Sequence, residues 1–305
     1  MKSESFKGHL AAICLNLIFG LNISISKALL SASWMSPMGF TIARMLCGCV
    51  VFWTISLFTP REKTTGRDLF TILMGGFLGL AVTQVAFSVG IQFVSPVLWS
   101  LIAALSPIIV LLLSAIFLKD PISGKKAIGV IIGISGAVLV VLKNRSGGVS
   151  SGSVWGICIA LVCITCYSAY IVIVRKTSEK YTPITTMKWM YLLAFVVLSP
   201  FSLPELPGQR IFSSEAALLP VLQLGFSLFL SSVVGYCLMP VALKRIKATT
   251  ASMYNGLQPL TASAAAIIIG QDFFTWDKPL ALILIITGVY IVTHSHSGDL
   301  KPEVV

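Results

Sequence analysis

Ten apolar stretches follow one another along the chain, at residues 9–31, 38–58, 69–90, 95–118, 126–142, 154–174, 185–200, 216–239, 248–270 and 279–295. Each approaches the twenty or so apolar residues that a helix needs to cross a bilayer. The longest connectors, 59–68, 143–153, 175–184 and 201–215, are rich in Gly, Ser, Thr, Pro and charge, as chain reversals outside the apolar layer are. The first stretch continues past Asn22 and Lys27 with no small-residue cleavage site, so it is expected to remain as a span. The pattern predicts an all-α polytopic membrane protein of ten transmembrane helices.

Composition agrees. Only 11% of the 305 residues are charged and the mean hydropathy is +0.93. A soluble domain carries about 25% charged residues, so neither a water-facing domain nor a disordered chain fits. The net charge of +11 would suit a nucleic-acid binder if it formed a patch, but it does not. Ten crossings put both termini on one side, where sixteen Lys and Arg residues fall, against five opposite and Arg44 inside a span. That bias orients membrane proteins. Both termini are expected in the cytoplasm and the chain in the cytoplasmic (inner) membrane, with no nucleic-acid partner.

The two halves resemble each other. Residues 89–140 shifted by 152 match 241–292 at ten positions, including Pro107/Pro259, Asp120/Asp272, Lys126/Lys278 and Gly136/Gly288. Five spans per half is an odd number, so the second half enters from the opposite side. The expected organisation is a first five-helix repeat at 1–142, a linker at 143–153 and an inverted second repeat at 154–305. Inverted repeats can adopt each other's conformation, which gives two states of similar energy around a midplane site.

Polar groups inside spans mark where that site is expected. In span 4, Trp99, Ile102, Ala103 and Ser106 share a face. Their shift-152 partners are Ala251, Tyr254, Asn255 and Gln258. Gln84 of span 3 pairs in the same way with Tyr236 of span 8, and a shift of 148 maps Phe19 and Asn22 onto Tyr167 and Tyr170. Together they predict a central cavity walled by spans 1, 3, 4, 6, 8 and 9, with interhelical hydrogen bonding as the alternative role of each residue. Lys27 and Arg44 are the basic residues least easily read as loop charge; each either anchors a helix or meets an anionic substrate. Pro107 and Pro259 are expected hinges, because each removes a backbone hydrogen bond. Asp120 and Asp272, at the ends of spans 4 and 9, either lock gates or cap the next helix.

No carboxylate falls in the middle of a span, and the histidines lie near span ends. Proton relays use such groups, so a facilitator or exchanger is expected. All seven cysteines lie in spans, and Cys163-x2-Cys166 reads as apolar packing. No cofactor, metal or ATPase subunit is implied. A monomer or homodimer is expected, and neither a membrane-embedded enzyme nor a sensor finds its residues here.

The ordered signatures resemble those of the drug/metabolite transporter superfamily, and within it the EamA-type ten-helix carriers. They are Phe19-Gly20-Leu21-Asn22…Lys27, Pro37…Ala43-Arg44, Ser106-Pro107…Lys119-Asp120, the Gly129…Gly133…Gly136 run and Gln258-Pro259…Gln271-Asp272. The chain departs from the family pattern at Phe19, where Trp is usual, and at Asp120 and Asp272, where Glu is usual. The resemblance implies movement of a small organic metabolite across the membrane, often export of an amino acid or related compound.

Overall fold

A backbone in hydrocarbon has no water to bond to, and a helix satisfies its N–H and C=O groups internally. The computed structural model describes residues 2–118, 124–125, 127–133, 135, 153–213, 216–271 and 276–294. In it the apolar stretches form ten helical segments. They are α1 (Lys2–Ser31), α2 (Pro37–Leu57), α3 (Gly66–Gly90), α4 (Pro96–Ala103 continued by Ser106–Leu118), α5 (residues 127–133), α6 (Val154–Lys180), α7 (Pro183–Ser202), α8 (Leu218–Leu243), α9 (Ala248–Met253, Tyr254–Leu257 and Gln258–Ile269) and α10 (Asp277–His294). No strand occurs among the described residues. Among the described residues, seven segments are by themselves long and apolar enough to span a membrane. Large apolar side chains such as Ile116, Phe117, Leu218 and Ile268 point outward, which suits a lipid-facing surface. The expected all-α polytopic fold is the one observed. Asp120, Asp272 and most of the 143–153 linker lie outside the described residues.

Local sequence explains the helix starts. Ser36, Ser95 and Thr182 each accept a hydrogen bond from the N–H three residues on, and each precedes a proline that opens its helix. An N-cap hydroxyl satisfies an orphan donor, and proline at the first position sacrifices none. The stop of α9 is equally local. Gly270 adopts φ +75°, and the Gln271 N–H reaches back to the Ala266 carbonyl.

The packing is paired. α1 lies against α8 and α9, and α6 lies against α3 and α4, while α2 runs along α7. Glycine sets the closest approaches. A Cβ on Gly288 of α10 would lie 2.5 Å from the Gly129 carbonyl oxygen of α5, and one on Gly79 of α3 would lie 2.4 Å from the Tyr170 ring of α6.

Irregular backbone is paired as well. A π-helical stretch interrupts α3 at Phe77–Val82 and another interrupts α8 at Phe226–Gly235. α4 breaks between Ala103 and Ser106, and α9 tightens into a 3₁₀ turn at Tyr254–Leu257. Pro107 and Pro259 each stand second in the helical piece that resumes after the break. The expected hinges are therefore helix restarts, in which proline stands where an N–H is dispensable. Between two apolar clusters of the core, one toward Ile23–Leu30 of α1 and the other toward Ala11–Leu15, lies the polar region described next.

Candidate functional site

The polar groups of seven helices converge on one cavity of about 60 Å³, room for a few waters. From α1 come Phe19, Asn22 and Ile23, and from α2 Arg44. α3 supplies Thr83, Gln84 and Phe87, and α4 supplies Trp99 and Ala103. Cys163, Ile164 and Tyr167 come from α6, Ser231 and Tyr236 from α8, and Asn255 and Gln258 from α9. Eight expected residues thus meet: Asn22, Arg44, Gln84, Trp99, Tyr167, Tyr236, Asn255 and Gln258. The wall includes α2 in addition to the six spans expected.

Arg44 organises one side. It is 1% exposed. Its Nε donates to Ser232 Oγ at 2.6 Å, Nη2 donates to Ser231 Oγ at 3.0 Å, and Nη1 donates to Gln84 Oε1. The Phe40 and Phe87 rings lie 5.3 and 6.0 Å from its Cζ, a cation–π setting. The Gln84 amide then donates to the Tyr236 hydroxyl, so the two shift-152 partners touch. Phe19 and Tyr167, partners at shift 148, also approach, with ring centroids 6.4 Å apart. On the other side the Ser227 hydroxyl donates to Asn22 Oδ1 at 2.9 Å, and the Gln258 amide donates to Asn16 Oδ1 at 2.7 Å. Asn255 Oδ1 and the Tyr167 hydroxyl, both buried, have no hydrogen-bond partner among the described residues. Phe87 and Trp99 meet edge to face at 5.4 Å and give the cavity an aromatic wall.

The other expected residues sit elsewhere, each for a visible reason. Lys27 Nζ donates to the Ile91 and Gln92 carbonyls, both at 2.9 Å. It caps the C-terminal end of α3, where a cation is favoured, and so ties α1 to α3. The Ser106 hydroxyl is 3.0 Å from that of Ser168 and joins α4 to α6. Tyr170 is buried behind the cavity with its ring on Gly79. The Tyr254 hydroxyl lies 2.8 Å from His9 Nδ1, nearer the start of α1. Sequence reading missed Ser231 and Ser232, which form consecutive hydroxyls inside a span with Ser227 one turn earlier. That polar cluster was the available signal. Cys163 was read only as packing, yet it lines the cavity while its thiol donates to the Thr83 carbonyl at 3.4 Å.

Both ends of the α2–α7 pair are braced in the same way. At one end Glu62 accepts from the Thr182 N–H and hydroxyl at the start of α7. At the other end Glu205 accepts from the Ser36 hydroxyl at the start of α2, and Gln209 Oε1 accepts from the Ser36 N–H. Burial raises the Glu62 carboxyl, but hydrogen bonds from Thr185 and Thr182 and the charge of Lys244 together hold it below its usual value. No group of three His, Cys, Asp or Glu residues able to hold a metal occurs among the described residues.

The sequence model of the EamA-like transporter family matches residues 6–142 and again 154–294. This chain belongs to the EamA-like transporter family. An uncharacterized transporter of Archaeoglobus fulgidus is 27% identical over 262 residues, 86% of this chain and 90% of that protein. YyaM of Bacillus subtilis, likewise named an uncharacterized transporter, is 23% identical, with 90% of this chain and 89% of that protein covered. A Chlamydia muridarum protein named S-adenosylmethionine/S-adenosylhomocysteine transporter is 23% identical, covering 91% of this chain and 88% of its own. One crystal structure of a protein superposes with a TM-score of 0.64 at 17% identity, covering 96% of this chain and 97% of the other, and so shares its fold. The EamA-like chain is a multi-pass membrane transporter, and its family model matches each half separately.

Proposed function

We propose that the protein is an alternating-access carrier that exports a small organic metabolite, an amino acid or related compound, across the cytoplasmic membrane. Two inverted five-helix repeats, at 1–142 and 154–305, enclose the site, and both termini face the cytoplasm. The partners are the small-molecule substrate and the bilayer, and the unit is a monomer or homodimer without nucleic acid or an ATPase subunit. The observation that carries this reading is the cavity itself. Helices from both halves line it, repeat partners Gln84 and Tyr236 bond across it, and the backbone is irregular at matching places beside it. Its small volume fits a closed stage of the cycle, because drug-sized ligands occupy pockets of roughly 300–1,000 Å³. Entry then requires the two halves to part. Among the described residues no carboxylate or histidine lines the cavity, which favours facilitated diffusion or exchange over proton coupling. Export is the direction the family resemblance implies.

The test is counterflow of radiolabelled aromatic and aliphatic amino acids, with S-adenosylmethionine alongside, into proteoliposomes with and without a pH gradient. Saturable exchange that needs no gradient is expected. Uptake that appears only with a proton gradient contradicts the facilitator reading, and folded protein that exchanges none of the panel contradicts the substrate class.

A further inference from the structure

Arg44 is the charged group on the cavity wall, and among the described residues only neutral groups bond to it. All three of its hydrogen-bond partners, Gln84, Ser231 and Ser232, are neutral. No carboxylate lines the cavity among the described residues. A guanidinium has five N–H groups. Three are used, which leaves one on Nη1 and one on Nη2. That is the number the two oxygens of a carboxylate engage in a forked pair. A charge buried in a membrane-spanning bundle is costly until it is paired, so an anion that enters here relieves a cost already present in the empty protein. An ammonium group meets the opposite situation. The acceptors left without a partner among the described residues of the lining are Asn255 Oδ1 and the Tyr167 hydroxyl, neutral atoms in a cavity that already holds one positive charge.

We propose that the cavity selects solutes of net negative charge, with a carboxylate on Arg44 and an apolar or aromatic body against Phe87 and Trp99. The inference rests on the transporter reading for the site's role and sharpens its substrate class. A 2-oxo acid or an N-acylated amino acid fits better than the parent zwitterion, and the corresponding amine fits worst. A purely structural Arg44, tying α2 to α3 and α8, predicts no such order.

Three probes share one ring and differ in charge: phenylpyruvate, phenylalanine and phenethylamine. Each is titrated into the purified full-length chain in detergent, with thermal stabilisation giving an apparent Kd. Phenylpyruvate is expected to bind at least about tenfold more tightly than phenylalanine, the scale of one charge-assisted hydrogen bond. Arg44→Gln is expected to erase the order. Arg44→Lys keeps the charge but loses the fork, so it retains the order with weaker binding of the oxo acid. An anion that binds no better than the zwitterion, including no binding by any probe, overturns the proposal. So does a folded Arg44→Gln protein that keeps the wild-type order. If that variant does not fold, the wild-type order and Arg44→Lys decide. Counterflow in proteoliposomes separates the two claims. Anion-selective binding without counterflow removes the transport reading and leaves the anion site. Phenylalanine counterflow unchanged in Arg44→Gln removes the anion site and leaves the transport reading.

Discussion

The two halves of the chain share backbone devices and differ in side-chain chemistry. α3 and α8 both carry π-helical interruptions, α4 and α9 both break and restart with a proline in the new first turn, and α2 and α7 both open on a hydroxyl cap and proline. At the same places the side chains diverge. Aligning the two cap–proline starts sets Arg44 of α2 opposite Met190 of α7. Gln84 faces its counterpart Tyr236, and Ala103 of α4 corresponds to Asn255 of α9. What is duplicated is the irregular backbone itself, the π-helical stretches and the proline restarts. What does not recur is the side-chain chemistry of the cavity lining, where among the described residues Arg44 comes from the first half and Asn255 and Gln258 come from the second. Two arginines there would repel each other in a poorly screened interior.

That comparison can be broken at the scaffold. Gly288→Leu should have the largest effect, costing more than about 3 kcal/mol, because its side chain would collide with α5 backbone that cannot step aside. Gly79→Leu meets the Tyr170 ring, a side chain able to shift, and should lose less. Thermal melting of both variants in detergent checks the order. Next comes Arg44→Met, which places the second half's residue in the first. Affinity for an anionic probe should fall by about 100-fold, while the melting temperature holds or rises, since an apolar side chain replaces a buried charge. Equal losses of affinity and stability would make Arg44 a strut. A smaller effect is expected across the pair that joins the halves. In a double-mutant cycle of Gln84→Leu and Tyr236→Phe, the coupling energy should be about 1 kcal/mol. The smallest effects lie at the braces. Thr182→Ala and Ser36→Ala should each cost about 1 kcal/mol. Glu62 adds a pH signature at one end. Its folded pKa is depressed, so its contribution is present above its unfolded value of about 4.3 and is lost as the pH falls through the lower folded value. The melting difference between wild type and Glu62→Gln should be present at pH 7, within about 1 kcal/mol for a partly exposed group screened by solvent. It should vanish in strong acid.

Much of this was legible in the sequence, and the reasons are specific. Hydrophobic length located the ten segments, since the bilayer leaves helices few alternatives. The 152-residue shift brought out Gln84 with Tyr236 as partners, and in the structure the Gln84 amide donates to the Tyr236 hydroxyl. Span-interior polarity found Asn22, Arg44, Asn255 and Gln258. The same rule could not separate the cavity from polar groups that serve packing. Lys27 is taken up by the carbonyls at the end of α3, Ser106 by Ser168, and Tyr254 by His9. Each partner belongs to a different helix, and helical periodicity carries no information about which neighbour a face will meet. The π-helical stretches were equally out of reach, because no residue type demands them as proline demands a break.

Cys163 offers the most direct test of a single cavity reached from both sides and tuned to anions. It lines the cavity with the other walls around it. A variant that keeps Cys163 as its sole cysteine is treated in right-side-out and inverted vesicles with two impermeant thiosulfonates of similar reach, one sulfonated and one trimethylammonium. Modification from either face is expected, faster with the anionic reagent, and Arg44→Gln should remove that charge preference. Labelling from one face only would contradict alternating access, and faster reaction with the cationic reagent would contradict the role assigned to Arg44.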